Sequence, residues 1–280
     1  NYLPMVGIYY AFTDYNVRKG LFGSRFVGLN NFKFLFSSGA AWTFTANTLL
    51  YNIIFIVIGT ALRIAFAIML AEMSAKFFKK TCQTLMFLPH FVSMVLVGTI
   101  CFALFNSNGF INSLRLTLGM DKFYYYETPW VWYILIPIVN FWKTTGYGTV
   151  VYLSAITGIS DDLYEAADLD GANGWTKFWK ITIPYISPTI QFTTIMGLIS
   201  SFQYFTQAFV FGSVSQSNVL TPGGPRNSML FYSLYLYQQG FSYLKMGYAS
   251  AMALILFVIV MLVSFFALRV MEKRVNYDVE

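Results

Sequence analysis

Hydrophobic residues in this chain are gathered into long runs that are separated by short polar stretches. The apolar runs cover residues 1–13, 47–72, 83–105, 130–157, 187–212 and 247–270. Because a helix rises 1.5 Å per residue, about 20 apolar residues cross the roughly 30 Å hydrocarbon core of a bilayer. The pattern therefore predicts one transmembrane domain over residues 1–280 with six spanning helices. The first run starts without a methionine in the middle of an apolar segment, so we expect a truncated first span whose natural beginning lies upstream.

The amino-acid composition supports a surface that faces lipid. The 280 residues are 57% hydrophobic and only 11% charged, whereas a soluble domain carries about 25% charged residues. Strands of a membrane barrel alternate apolar and polar positions, and the runs here are uniformly apolar. The predicted fold class is therefore an all-α integral membrane protein.

The net charge of +6 is distributed next to the predicted spans. Basic residues at such positions orient a membrane protein and attract anionic lipid headgroups, so the charge does not indicate nucleic-acid binding. Equal numbers of Lys and Arg lie on the two sides of the membrane, but they are denser around residues 73–82, 158–186 and the C-terminal tail. We predict that this side is cytoplasmic.

The polar loop 158–186 is unusual for so apolar a chain. Five of the 12 acidic residues lie between Asp161 and Asp170. Asp162 and Glu165 have the spacing of a capping box, which predicts a helix that starts near residue 161. Gly171 and Gly174 are expected to end this helix, and Trp175, Phe178 and Trp179 recur at helical spacing. The pattern predicts a helix–turn–helix segment at the membrane surface.

Two interpretations of this loop remain open from the residues alone. The small pair Ala166 and Ala167 permits close approach of a partner, and the Glu165 carboxylate can accept hydrogen bonds from an arginine. The alternative is an ordinary amphipathic loop that joins two spans and binds nothing.

The segment EAADLDGANGWTKFWKITIPYISP resembles the EAA motif of the permeases of binding-protein-dependent ABC importers. Ile183 is the one departure, because leucine is usual there. The stretch LTPGGP (Leu220–Pro225) and the N-terminal segments PMVGIYYAFTDYN and FVGLNNFKFLF are similar to the carbohydrate and oligosaccharide branch of the same family. The positions that match the EAA motif are Glu165, Ala166, Ala167, Asp170, Gly171, Ala172, Phe178, Ile181, Pro184 and Pro188.

This resemblance implies a six-helix type I ABC importer permease core whose loop 158–186 forms a cytoplasmic coupling helix. Glu165 would pair with a basic residue of a separate ATPase subunit, and Gly171 would form the turn. The implied partners are a second homologous permease, two ATPase subunits that hold ATP and Mg²⁺, an extracytoplasmic solute-binding protein and membrane lipid. The implied coupling residues are Glu165, Ala166, Ala167, Asp170, Gly171, Ala172 and Pro184. The chain has no GxxxxGK[ST] phosphate loop, so we expect it to bind no cofactor.

Two polar stripes within the predicted spans are candidates for a substrate path. Asn140, Lys143, Thr144 and Tyr147 share one helical face by their three- and four-residue spacing. The fifth span carries a similar face with Gly197, Ser200, Gln203, Tyr204 and Gln207. Hydrogen bonds between helices are the alternative explanation of both stripes. The cation of Lys143 would favour an acidic, uronate-type oligosaccharide.

Other candidate chemistry is sparse. The single histidine, His90, follows Pro89 and is expected to pack between helices, since one histidine does not form a usual metal site. Arg63 lies within a span, where it either reaches the interface or pairs within the bundle. HExxH and GxSxG motifs are absent from the sequence, so neither a catalytic nor a metal site is predicted and the chain is not expected to be an enzyme.

These observations predict a permease of the bacterial cytoplasmic (inner) membrane that crosses it several times. It would move an oligosaccharide from a solute-binding protein into the cytoplasm by alternating access driven by ATP. The alternative is a secondary transporter of a polar solute driven by an ion gradient. Such a carrier requires an acidic residue within the membrane, and Glu72 lies only at the end of a predicted span.

Overall fold

The computed structural model describes residues 3–37, 39–214 and 223–272, and almost all regular structure in this part is helical. The α-helices are α1 (Gly20–Gly23), α2 (Asn30–Ser37), α3 (Ala40–Ala71), α4 (Lys76–Phe91), α5 (Met94–Phe105), α6 (Phe110–Thr117), α7 (Pro129–Ile156), α8 (Asp161–Leu169), α9 (Gly174–Lys177), α10 (Ile183–Tyr185), α11 (Ser187–Phe202), α12 (Thr206–Val214), α13 (Tyr232–Tyr237) and α14 (Met246–Glu272). The 3₁₀-helices are Leu3–Phe12, Tyr125–Glu127 and Pro225–Asn227, and the π-helices are Phe178–Thr182 and Gln238–Ser242. The short strands β1 (Thr13–Asp14) and β2 (Arg25–Phe26) pair antiparallel.

Three segments in the described part are long and apolar enough to cross a membrane. They are Ala41–Ala71, Met94–Thr117 and Met246–Met271. Helix α7 has 28 residues, which is also sufficient length, but polar residues such as Asn140 and Lys143 at its centre make it less apolar. The all-α membrane fold predicted from the sequence is confirmed.

Two of the predicted spans are interrupted. The run 83–105 is divided between α4, which ends at Phe91, and α5, which begins at Met94. Pro89 lacks a backbone N–H and lies in the last turn of α4, which favours an end there. The Ser93 side chain then accepts a hydrogen bond from the Leu96 N–H at 3.3 Å and caps α5.

The run 187–212 is likewise divided, because α11 ends at Phe202 and α12 begins at Thr206. Neither Pro nor Gly lies at this break, so no local residue signal marks it. The described part of the first run, Leu3–Phe12, is a 3₁₀-helix. Residues 220–222 of the LTPGGP segment lie outside the described residues.

Residue contacts divide the chain into two units. One unit comprises Asn1–Asn52, Ser93–Ile136 and Ser200–Val263, and the other comprises Ile53–Val92, Pro137–Ile199 and Ser264–Glu280. The first unit has an aromatic core. Phe44 contacts Tyr232 edge to face at a centroid distance of 4.8 Å. Trp132 is fully buried, with Tyr126 at 4.9 Å and Phe211 at 5.6 Å; such ring contacts add to the stabilisation from burial.

An irregular segment of the first unit, residues 223–231, is fixed by polar side chains of α3. The Asn47 side chain donates to the carbonyls of Asn227 at 2.7 Å and Leu230 at 3.2 Å. The Thr48 hydroxyl accepts from the Tyr232 N–H at 3.0 Å. These bonds satisfy backbone groups that no regular helix or sheet would satisfy.

In the second unit, the C-terminal ends of α3 and α7 pack against residues of the loop 158–186. The sequence predicted that these ends lie on the cytoplasmic side. A close approach of α4 and α7 occurs at Gly146, where an added Cβ would overlap the Met86 carbonyl; small residues permit such contacts between membrane helices. The buried apolar cluster consists of Ile64, Ala67, Leu70, Tyr152, Leu153, Ile156, Ile159 and Ile186. The loop 158–186 is anchored on this cluster.

Candidate functional site

The loop 158–186 begins with a capped helix. α8 spans Asp161–Leu169, so the predicted start near residue 161 is confirmed. Its N-cap is Ser160, whose hydroxyl accepts from the Asp162 N–H at 3.3 Å; the capping role predicted for Asp162 is wrong. Asp161 and Asp162 occupy the first turn, where carboxylates interact favourably with the helix dipole.

Gly171 reverses the chain at the end of α8. Its φ is +76°, in the left-handed region that glycine adopts at little cost. The Gly171 N–H donates to the Asp168 carbonyl at 3.0 Å and the Ala172 N–H to the Ala167 carbonyl at 2.9 Å, which is the hydrogen-bond pattern of a Schellman motif. Gly174 does not end α8, contrary to expectation. It begins α9, which is capped by the Asn173 side chain at 2.8 Å from the Thr176 N–H.

Replacement of Gly171 by alanine is expected to weaken this turn. An L-residue at φ +76° costs about 1–2 kcal/mol, although no atom obstructs a Cβ there. Faster hydrogen exchange of residues 166–172 would report the loss. Gly174→Ala is the matched control because Gly174 has open space and no positive φ; equal exchange in the two variants would contradict the prediction.

One face of α8 is attached to the second unit. The Tyr164 hydroxyl and the Thr182 hydroxyl are 2.9 Å apart and hydrogen-bonded, and Tyr164 also packs against the buried cluster. Asp168 forms an ion pair with Lys177 of α9. These contacts join α8 to the segment that leads into α11.

The opposite face of α8 is exposed, and we call it the docking face. It consists of Asp162, Glu165, Ala166 and Leu169, which follow the spacing i, i+3, i+4, i+7. Leu169 is 90% exposed. This face therefore places an exposed apolar side chain one helical turn from the Glu165 carboxylate. Sequence reasoning missed Leu169, although its helical spacing from Glu165 was a usable signal.

The remaining residues of the motif lie beside the docking face or beyond it. Ala167 and Ala172 are partly buried and form the Schellman turn, and Asp170 is the C-cap of α8. Pro184 lies in α10, after the π-helix, where its carbonyl accepts from the Ser187 hydroxyl at 2.7 Å. The motif therefore combines a contact surface with the turns that position it.

Lys143 of α7 binds the C-terminal end of α4. Its ammonium group donates to the carbonyls of Pro89 at 3.4 Å, His90 at 3.0 Å and Val92. The last carbonyls of a helix have no partner within it, and a lysine can satisfy them. We call this arrangement the Lys143 clamp, and it favours the interhelical explanation for this residue over substrate binding.

The neighbouring polar positions of α7 are also engaged in packing. The Thr144 hydroxyl donates to the Asn140 carbonyl at 2.8 Å, and Asn140 is buried. Tyr147 stacks on His90 with ring centroids 4.8 Å apart and remains 52% exposed. The packing role predicted for His90 is confirmed, and Tyr147 is the member of this stripe with most free surface.

The polar stripe predicted on the fifth span is not one helical face. Ser200 belongs to α11 and Gln207 to α12, while Gln203 and Tyr204 lie in the break between the two helices. The Tyr204 carbonyl accepts from the Ser233 hydroxyl at 2.7 Å. In residues 3–37, 39–214 and 223–272, no group of three or more His, Cys, Asp or Glu side chains could hold a metal ion.

The described structure thus combines a helical membrane core with a capped, exposed helix on one loop. Comparison with known families agrees with this architecture, because residues 63–277 match the family described as binding-protein-dependent transport system inner membrane component. The chain belongs to this family. The predicted membership is thereby confirmed, and the protein is a permease subunit, a transport component rather than an enzyme.

Several relatives carry permease names. The probable ABC transporter permease protein YesP of Bacillus subtilis (strain 168) is 32% identical over 99% of this chain and 86% of its own length. The polygalacturonan/rhamnogalacturonan transport system permease protein YteP of the same strain is 36% identical over 70% of this chain and 62% of its own length.

A solved structure has the same fold. It is that of a bacterial ABC transporter involved in the import of the acidic polysaccharide alginate, with a TM-score of 0.83 and 26% identity. The match covers 98% of this chain and 90% of the other. A second structure of a bacterial alginate ABC transporter contains a periplasmic protein with bound alginate pentasaccharide, and matches with a TM-score of 0.80 at 28% identity over 95% and 86% of the two chains.

Proposed function

We propose that this chain is the permease subunit of an ATP-driven importer that moves oligosaccharides across the bacterial inner membrane. The observation that carries the proposal is the docking face of α8, which presents Glu165 and Leu169 outward while Tyr164 fixes the helix to the core. A rigid, partly apolar helix of this kind suits a groove on a cytoplasmic ATPase.

The complete transporter would contain a second homologous permease, two ATPase subunits with ATP and Mg²⁺, and an extracytoplasmic solute-binding protein. Closure of the ATPase pair would displace α8, and the attached helices would switch between outward- and inward-open arrangements. The family description and the relative crystallised with a periplasmic sugar-loaded protein support the solute-binding partner. The coupling residues would be Glu165, Ala166, Ala167, Asp170, Gly171, Ala172 and Pro184.

Support for an oligosaccharide comes from relatives of this chain. Their names include polygalacturonan/rhamnogalacturonan and arabinooligosaccharide transport system permeases. Within this chain, Tyr147 offers an exposed aromatic ring to a sugar face, and Ser200 and Gln203 offer exposed hydrogen-bonding groups. Tyr204 and Gln207 of the second predicted stripe are further candidate contacts, whereas Asn140 and Lys143 are engaged in packing.

Co-purification and energy dependence together test the proposal. The tagged protein, isolated from its native membrane, is expected to bring an ATPase subunit and a second permease that mass spectrometry identifies. Uptake into proteoliposomes should require internal ATP and persist when a proton ionophore is added. Isolation of the chain alone, with uptake that the ionophore abolishes, would instead favour the ion-gradient carrier.

A further inference from the structure

Arg63 is a cation inside the membrane-crossing part of α3, and the described structure provides it with no carboxylate. One guanidinium nitrogen, Nη2, donates to the Thr144 hydroxyl at 3.3 Å. The Nε–H is buried and has no acceptor among the described residues. Helices α3, α4, α7 and α11 contain neither Asp nor Glu, so the charge of Arg63 is not neutralised within the helices that surround it.

The Arg63 side chain is directed along α7 toward the N-terminal end of that helix. Its Cδ and Nε lie against Gly148, where an added Cβ would overlap them. The guanidinium then reaches Thr144, one turn closer to the N-terminus of α7. Thr144 lies roughly 18 Å along the axis from the end of α7 at Ile156, in a hydrocarbon core about 30 Å thick. The guanidinium therefore points away from the C-terminal end of α7 and toward the middle of that helix.

An arginine within a membrane span that has no carboxylate partner is costly, and such residues often mark a substrate path. A guanidinium presents several N–H donors in a planar fork, and a carboxylate accepts two of them at once. Arg63 is partly exposed, so the described residues leave part of its side chain uncovered. Lys143 of α7 already donates to three carbonyls, so it has fewer N–H donors left for a ligand than Arg63 has.

We propose that Arg63 binds the carboxylate of an acidic sugar residue during transport, so that the substrate is a uronate-containing oligosaccharide. This inference rests on the proposed import function and specifies its substrate class. The sequence suggested that Lys143 favours an acidic sugar, and the structure assigns this role to Arg63. The transport of alginate and of polygalacturonan/rhamnogalacturonan by similar proteins agrees with an acidic sugar.

The test compares an oligogalacturonate with its carboxyl-reduced, neutral form, which differs only in the group that Arg63 would bind. Binding of each is measured to the purified permease–ATPase complex without the solute-binding protein, whose own specificity is thereby excluded. Wild type is expected to bind the acidic form at least about tenfold more tightly, the effect of one charged hydrogen-bonded contact. Arg63→Gln should abolish this difference, and Arg63→Lys should retain part of it. Lys80→Gln, a change at an exposed position of α4, should leave it intact.

Three outcomes would overturn the inference. Wild type could bind both sugars equally, which would refute the preference for an acidic sugar even if Arg63→Gln fails to assemble. Arg63→Gln could weaken both sugars to the same extent, as a structural role would. Phosphatidylglycerol, added to a neutral lipid, could stabilise wild type but not Arg63→Gln, while the two proteins bind the sugars alike. That result would show that Arg63 binds a lipid phosphate. Preferential binding of the neutral sugar would leave the import function standing, whereas absence of an ATPase partner would remove the import function itself.

Discussion

Exchange of Glu165 for lysine is expected to abolish ATP-driven uptake while the subunit still folds. Glu165 is exposed on the docking face, and the described structure shows it in no ion pair or hydrogen bond, so the change should alter folding stability by less than about 0.5 kcal/mol. On an ATPase, the same change would place a cation opposite the basic residue that the carboxylate is proposed to bind. Like charges at an interface cost several kcal/mol, so coupled transport should fall by at least about 100-fold.

Uptake into proteoliposomes and recovery of the ATPase on the tagged permease are the two measurements for this variant. Asp121→Lys, which makes the same charge change at an exposed position far along the sequence, should retain both. A compensating acidic substitution at the partner's basic residue should restore coupling in the Glu165 variant. Wild-type uptake and normal ATPase recovery with Lys at position 165 would refute the role of the docking face.

Replacement of Lys143 by methionine is expected to destabilise the protein strongly. Methionine approximates the length of the lysine chain but leaves the His90 and Val92 carbonyls without the lysine donor. The Pro89 carbonyl keeps the Val92 N–H at 3.2 Å. Unsatisfied backbone groups are especially costly in a bilayer, and hydrogen bonds to a charged group each contribute about 1.5–3 kcal/mol. We expect a loss of about 3 kcal/mol or more, and a loosened backbone around the break at residues 92–93.

Thermal unfolding in detergent measures the effect, and hydrogen exchange of residues 86–96 locates it. Lys80→Met is the matched control, because Lys80 is exposed in the same helix and should tolerate the change. If Lys143→Met unfolded at the wild-type temperature, the clamp would be unimportant. A selective loss of acidic-sugar transport with normal stability would return Lys143 to the substrate path.

Much of the coupling loop was predictable because its signals are local. An acidic first turn, helical periodicity and a glycine at the C-terminal end depend on neighbouring residues only, and they predicted a helix near residue 161 and the turn at Gly171. Even here the cap was misassigned to Asp162. Ser160 is an equally good capping residue by type, and the choice between the two moves the first helical residue by two positions.

The breaks within the spans illustrate why hydropathy alone was insufficient. A hydropathy run reports that a segment is apolar but does not distinguish one helix from two. Near the break at residues 92–93, Pro89 in the last turn of α4 indicated that the helix ends there. At residues 203–205 the chain leaves the helix without such a residue, and the freed Tyr204 carbonyl accepts from Ser233, 29 positions later. That partner is invisible to any local pattern.

The sequence by itself determined that the chain is a helical membrane protein, where its apolar segments lie, and which loop carries the coupling motif, because hydropathy, periodicity and motif spacing are properties of adjacent residues. Only the tertiary structure decided which polar residues are already satisfied. Lys143 and Arg63 are both cations within apolar runs, yet Lys143 meets carbonyls more than 50 positions away, whereas Arg63 meets one hydroxyl and Gly148. A charge in a membrane is structural or available for a ligand according to the partners that the fold brings to it.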